Sequence, residues 1–218
     1  MKKVEEQIEE AFKLFDQGKL HEAEELYHYT LSVISDTQSD TYHHALFGLG
    51  YVKAVLNDYF GAYNIYQKLL RNAQQKGNKK DEAIYFHQLG MVERMIGNYK
   101  CANSFFSQEA TIYYDYFPEY TLGFAANWYE QGYIAMKQGK LQNAKKIMHQ
   151  SLDYAIQSED SISIGCSHRG LGEIYHLLSS RILGNKHFQM AIKAFDEADD
   201  SIGVQEVVNM MRKWEDPT

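Results

Sequence analysis

Small residues return along this chain at a period close to 40, in two series that run in step, and no other feature restricts the possible fold so severely. In one series Ala11, Gly50, Gly90, Gly132 and Gly172 follow one another at steps of 39, 40, 42 and 40. In the other, Ala23, Ala62, Ala102, Ala144 and Ala191 follow at steps of 39, 40, 42 and 47. A bulky residue stands three before each of these alanines and another four after it. Around the first series "GLGYVKAVLN", "QLGMVERMIG", "EQGYIAMKQG" and "GLGEIYHLLS" are variants of one stretch. Such phasing marks an internal repeat. Each unit reads as two antiparallel helices, which approach closely only where a small side chain sits at the crossing. In "GNYKCANSFF", Ala102 is such a point opposite Gly90, with Tyr99, Phe105 and Phe106 filling the space around it. Glycine inside a helix costs about 1 kcal/mol relative to alanine, which tighter packing offsets. Cys101, beside the crossing, reads as a small buried hydrophobe.

The rest of the composition agrees. Only two prolines occur in 218 residues, which favours helix throughout. Apolar residues make up 44% and charged residues 23%, as in a globular chain. A net charge of −7 with no Lys/Arg block argues against nucleic acid or an anionic membrane as partner. The opening stretch, "MKKVEEQIEEAF", lacks the apolar segment of a signal peptide, and no run is long enough to span a membrane. Two cysteines without CxxC spacing suggest neither a disulfide framework nor a zinc site, and a cytoplasmic location is expected.

The pattern resembles the tetratricopeptide repeat: Leu-Gly in a first helix, a Gly-x-Tyr turn, then alanine and an aromatic in a second. The resemblance extends over roughly residues 3 to 199. Its period exceeds the usual 34 and is similar to that of the longer repeats in bacterial peptide-sensing regulators and in some eukaryotic scaffold proteins. It implies an all-α chain, a right-handed α-solenoid of five helix-turn-helix repeats, forming a single domain over 1–218. The repeats are expected at about 3–36, 39–77, 79–117, 119–158 and 160–199, with a capping helix at about 201–214. In the fifth repeat the step from Gly172 to Ala191 is 19, whereas Gly50 to Ala62, Gly90 to Ala102 and Gly132 to Ala144 are each 12. A lengthened first helix (160–182) or a long loop near "SSRILGNK", ahead of a second helix at 186–198, is therefore expected. The last helix carries Val204, Val207, Val208, Met211 and Trp214 on one stripe, suited to capping the array or to a homodimer contact. The opening helix places Val4, Ile8, Phe12 and Phe15 inward and Glu5, Glu6, Glu9 and Glu10 outward.

In this family the first helices line a groove. Counting from the small residues gives Phe47, Tyr51, His87, Met91, Arg94, Tyr129, Tyr133, Lys137, Arg169 and Glu173 as its lining, with His44 alongside. Aromatics, methionine and arginine are the types enriched at binding hot spots. The implied function is an adaptor for a protein or peptide ligand with apolar anchors and at least one carboxylate. The Lys/Asn set that grips chaperone C-termini and the Leu-Gly-Asn of scaffold-type repeats are both missing. A peptide-sensing regulator without its own DNA-binding domain is the alternative, since no such domain fits ahead of residue 3. A third reading places metal or catalysis at Glu173 and His176. Glu-x-x-His is half of a di-iron set, and only Glu130 is near enough to add to it. Cys166 and His176, about 15 Å apart along a helix, are no nucleophile–base pair. The chain is therefore expected to be no enzyme and to need no cofactor or metal.

Overall fold

The computed structural model describes residues 2–215, and no strand occurs among them. Eleven helices follow one another: α1 (Lys2–Asp16), α2 (Leu20–Val33), α3 (Asp40–Val55), α4 (Tyr59–Lys76), α5 (Lys79–Met95), α6 (Tyr99–Tyr116), α7 (Thr121–Lys137), α8 (Leu141–Ser158), α9 (Ser161–Leu177), α10 (Arg181–Glu197) and α11 (Ser201–Glu215). No described helix is long and apolar enough to cross a membrane. The chain divides into two compact units, one ending at Phe105 and the other beginning at Phe106, inside α6. In the first unit each helix packs on the next from α1 to α5, and α1 also touches α3. In the second the same holds from α7 to α11, with α7 on α9 and α9 on α11.

The small residues sit where the period places them. An added Cβ at Gly50 would lie 2.8 Å from the ring of Tyr66, at Gly132 3.1 Å from Met148 Cε, and at Gly172 2.4 Å from the ring of Phe188. In each case the bulky residue is 16 positions on, four past the small residue of the second helix. That slot holds Tyr27, Tyr66, Phe106, Met148 and Phe188, all at most 2% exposed. Ala11, Ala23, Ala62, Ala102 and Ala144 are fully buried. Cys101 is exposed, against expectation. The residue before a crossing position points about 100° away from it on a helix, and Glu22 and Asn143 at the same slot are exposed too. Phe12 also departs from expectation, being 55% exposed while Ala11 takes the buried position beside Ile8.

The fifth repeat corrects the sequence reading most. It has no lengthened helix and no long loop. Helix α9 ends at Leu177 and α10 begins at Arg181. The small residue of the second helix is Gly184, not Ala191, which restores a step of 12 from Gly172 and a step of 40 from Ala144. Ala191 is buried two turns further on, in the slot that Thr30, Leu69, Glu109 and Ser151 occupy in the other repeats. Within-repeat turns fall at Gly18, Asn57, Gly97, Gly139 and Ser179, all with positive φ. The backbone bonds match as well: Gly139 N to Met136 O (2.9 Å) and Lys140 N to Ala135 O (3.0 Å) have counterparts in Ser179 N to His176 O (2.9 Å) and Ser180 N to Tyr175 O (2.8 Å). This double bond across a left-handed residue satisfies the last carbonyls of a helix.

Helix starts follow side-chain chemistry. Ser39, Asn78, Asp160 and Asp200 accept from the backbone N–H three positions on, at Tyr42, Asp81, Ser163 and Gly203. Asp160 and Asp200 stand one repeat period apart, so α11 occupies the place of a sixth first helix. Its apolar stripe is turned inward: Val207 is fully buried with Phe188, Ala191 and Phe195, and Val204, Met211 and Trp214 pack around them. Polar side chains stitch the second unit. Ser151 Oγ donates to Ala125 O (2.9 Å) and lies 2.8 Å from Ser167 Oγ, joining α7, α8 and α9. Asn127 donates to Glu109 Oε2 and to Phe106 O, both at 2.7 Å.

Candidate functional site

On the first unit, the first-helix face is aromatic. Phe47 on α3 lies edge-on to Tyr51 (5.0 Å between centroids) and contacts Tyr66 (5.9 Å) and Tyr85 (5.8 Å). Tyr51 remains 39% exposed and its hydroxyl accepts from Gln88 Nε2 at 3.0 Å. Burial pushes the Tyr51 phenol up, against the pull of the Gln88 bond. His87, Met91 and Arg94 on α5 are half-buried, and Arg94 Nη2 reaches Met91 Sδ at 3.6 Å.

At the N-terminal end of this face a cleft of about 250 Å³ opens between α3, α4 and α5, walled by Phe47, Tyr85 and Ile84 and rimmed by Asp40, His43, His44, Lys76 and Asp81. A second cleft of about 400 Å³ adjoins it between α1 and α3, with Glu5, Glu9, Asp40 and His44 around Ile8. Burial, then Lys76, holds His43 below the usual histidine range. Of the expected lining, only Phe47 and His44 reach these clefts. Asp40, Asp81 and Lys76 lie at or near helix ends, where counting inward from mid-helix small residues does not look. The rim there sets two carboxylates, Asp40 and Asp81, beside one lysine, Lys76, whose Nζ is 3.7 Å from Asp40.

On the second unit, Tyr129 and Tyr133 of α7 stack at 6.5 Å, and Lys137 Nζ sits 5.0 Å over the Tyr133 ring. Arg169 of α9 donates to Tyr129 Oη (3.3 Å) and, through Nη1, to Glu206 of α11. Burial pushes the Tyr129 phenol up to about 12, with Arg169 pulling the other way. Burial also raises the Glu173 carboxyl, countered by Lys137, Arg169 and Lys213. Arg169 is therefore not an unengaged groove cation. Its charge meets Glu206, which enters from α11, a helix read from sequence as a cap or a homodimer contact and not as part of this face. Following the repeat period on into α11 would have found Lys213, forty residues after Glu173, but not Glu206.

Glu173 and His176 do not form a joint site. His176 is 7% exposed, with Nε2 2.8 Å from Asn185 Oδ1 and its ring stacked on Phe188 and Trp214 at 5.3 and 4.9 Å. Cys166 is 3.9 Å from Arg169, and burial raises its thiol. Glu130 is buried on α7. Among the described residues no three His, Cys, Asp or Glu side chains converge on one point.

No family model matches the sequence, and no curated protein does either. Solved structures do match in fold. The kinesin-light-chain TPR-like repeats of Podosopora anserina superpose with a TM-score of 0.67 at 15% identity, over 91% of this chain and 97% of that one. A Rap protein complexed with Competence and Sporulation Factor gives 0.69 at 15% identity over 98% of this chain, which spans 64% of the Rap chain. The apo form of RapI gives 0.67 at 11% identity, over 92% of this chain and 86% of that one. Helix order, crossing slots and these likenesses agree: the chain has the tetratricopeptide-type helical-repeat fold.

Proposed function

We propose that this is a peptide- or protein-binding adaptor that holds its ligand on the first-helix faces: Phe47, Tyr51, His87, Met91 and Arg94 on one unit, Tyr129, Tyr133, Lys137, Arg169 and Glu173 on the other. The observation that carries the reading is the aromatic cleft bearing Phe47 and Tyr85, rimmed by Asp40, Asp81 and Lys76. It pairs an apolar seat with carboxylates, as an extended segment with one bulky and one basic side chain requires. Exposed charge pairs contribute little by themselves, so the aromatic seat supplies most of the affinity. The two units are proposed to act as one domain, which a single cooperative unfolding transition would support.

A peptide-responsive regulator is a second reading, favoured by the likeness to a Rap protein solved in complex with Competence and Sporulation Factor. Both readings predict peptide binding. They separate on whether the bound form then recruits a further protein.

Panning a random peptide library against the purified chain tests the site. Selected peptides should share an aromatic or branched residue near a Lys or Arg. Phe47→Ala, Arg94→Ala and Tyr133→Ala should each weaken binding by about 1–2 kcal/mol, while Lys193→Ala on α10 should not. Lys68 on α4 is no substitute control, since it donates to Tyr42 Oη at 3.1 Å and lines a polar cleft. If Lys193→Ala weakens binding and the three face variants do not, the ligand sits on the second-helix side and the reading is wrong.

A further inference from the structure

The repeat supplies its own control for each residue. Three positions after the small residue of the second helix, the first four repeats carry Leu26, Ile65, Phe105 and Ile147, and the fifth carries His187. Four positions before the small residue of the first helix, repeats two to four carry Leu46, Phe86 and Trp128, and the fifth carries His168. The first repeat has the half-buried Gln7 in this second slot; from the second repeat to the fourth both slots are hydrocarbon or indole, and in the fifth both hold imidazoles. His168 is 5% exposed and His187 half-buried. The fold does not require this, because burying a polar ring where an apolar one packs is a cost.

The two imidazoles face each other, with Nδ1 to Nδ1 at 3.0 Å and ring centroids 5.2 Å apart. A third, His149 of α8, has its ring 6.2 Å from that of His187 and its Nε2 3.4 Å from Tyr175 Oη. Tyr175 stacks on His187 at 5.2 Å and 8°. Two imidazoles sharing a tetrahedral zinc ion, with Zn–N of about 2.1 Å, place their nitrogens about 3.4 Å and their centroids about 5.3 Å apart. The His168–His187 pair is within a few tenths of an ångström of that geometry. As the side chains lie, His149 completes no three-ligand set. For all three rings to share an ion, the His149 ring has to turn from Tyr175 Oη toward the pair.

We propose that His168 and His187, with His149 as third ligand and water in the fourth position, bind a divalent transition-metal ion of the zinc class and clamp α8, α9 and α10 together. Imidazole ligands suit zinc, nickel and copper rather than magnesium or calcium. The two facing imidazoles are now joined by one hydrogen bond, in which one Nδ1–H donates. On metal binding that proton moves to the same ring's Nε2, both Nδ1 lone pairs go to the ion, and no proton is released.

Calorimetric titration of the chelator-treated full chain with Zn²⁺ alone, with Co²⁺ as a spectroscopic substitute, tests this. One ion per chain should bind, the Co²⁺ form should show visible bands of tetrahedral intensity, and saturation should raise the unfolding midpoint by about 5 °C or more. H168L and H187I install the residues of the matching slots, and each should weaken binding by about 100-fold or more. H149Q, which copies Gln67 and Gln189, should cost about 10-fold. Because H149Q changes a slot that is polar elsewhere, it reads out the site even where a core variant fails to fold. H21Q, on an exposed residue, should change nothing. Weak binding at several sites that survives H168L and H149Q, or that H21Q abolishes, would assign the metal to surface histidines and overturn the proposal.

Discussion

The second and fifth repeats use the same slots and fill them differently. Gly50, Asn57, Ala62 and Tyr66 correspond to Gly172, Ser179, Gly184 and Phe188, and Leu46 and Ile65 to His168 and His187. What the fold asks of each slot is a volume or a backbone conformation, and several residues meet either demand. The substitutions are also coupled. At Gly184 an added Cβ would come within 2.3 Å of His176 Cδ2. His176 takes the place that Ala54 has in the second repeat, so its larger ring removes the alanine methyl from the facing helix. That exchange is why the alanine series breaks in the fifth repeat while the helix pair does not.

The sharpest test of volume as the governing quantity is glycine to alanine at one slot in two repeats. Alanine gains about 1 kcal/mol of helix propensity at either site. At Gly172 the new methyl meets the ring of Phe188 at 2.4 Å, and Phe188 is fully buried with nowhere to retreat. Overpacking outweighs the gain, and Gly172→Ala should lose about 2–3 kcal/mol. At Gly132 the contact is 3.1 Å to Met148 Cε, the end of a flexible chain. Gly132→Ala should be neutral or gain up to about 1 kcal/mol. Urea denaturation of both variants decides it, and equal losses would mean that backbone rather than volume sets the slot.

The histidines give the next largest effect. Burial, then His168, His149 and Lys186, lowers His187 from 6.5 to about 4, and burial with His149 lowers His168. Both rings are neutral when folded at neutral pH and take up protons more readily once unfolded. Their contribution is therefore complete above the ordinary histidine range and is lost as pH falls from about 6.5 through about 4. The loss should be roughly 2 kcal/mol in metal-free protein, after allowing for the partial exposure of His187. Lys145, over the Tyr175 ring at 5.9 Å, adds no compensating negative charge. His43 in the first unit is shifted the same way. The informative quantity is thus the difference from H168L and H187I, whose stability should fall less over that range. The second repeat, with Leu46 and Ile65 in these slots, shows that the hydrocarbon version packs.

Much of this architecture was legible in the sequence because glycine and alanine are visible wherever helices cross. Four turns were legible because Gly18, Asn57, Gly97 and Gly139 advertise a left-handed residue. The aromatic face at Phe47 and Tyr51 followed from the same count. The engagement of Arg169 did not, since its partner Glu206 enters from a helix with no small residue at the repeat position. The clefts near Asp40 and Asp81 were hidden for a related reason: helix ends gather residues from three elements, and periodicity within one helix says nothing of the other two. The His168–His187 contact required the correct register of α10, which the sequence concealed at a single residue.

That residue is Ser179, and it carries the smallest and most specific prediction. Its φ is 60°, beside 74° at Gly139 in the equivalent turn. A side chain in the left-handed region costs roughly 1–2 kcal/mol that glycine avoids. Glycine gives back part of this through the extra freedom of its unfolded chain. Ser179→Gly should therefore stabilise the protein by about 0.5–1 kcal/mol, and Gly139→Ser should destabilise it by a similar amount. Nothing within 4 Å would obstruct a Cβ at Gly139, so its loss would report conformation alone. Urea midpoints of the two single variants and the double variant measure this. If the turns are equivalent, the double variant returns close to the parent midpoint. A Ser179→Gly variant no more stable than the parent, with Gly139→Ser still costly, would mean that the Ser179 side chain holds the fifth turn by a contact of its own, and the equivalence of the two turns would end at their backbone bonds.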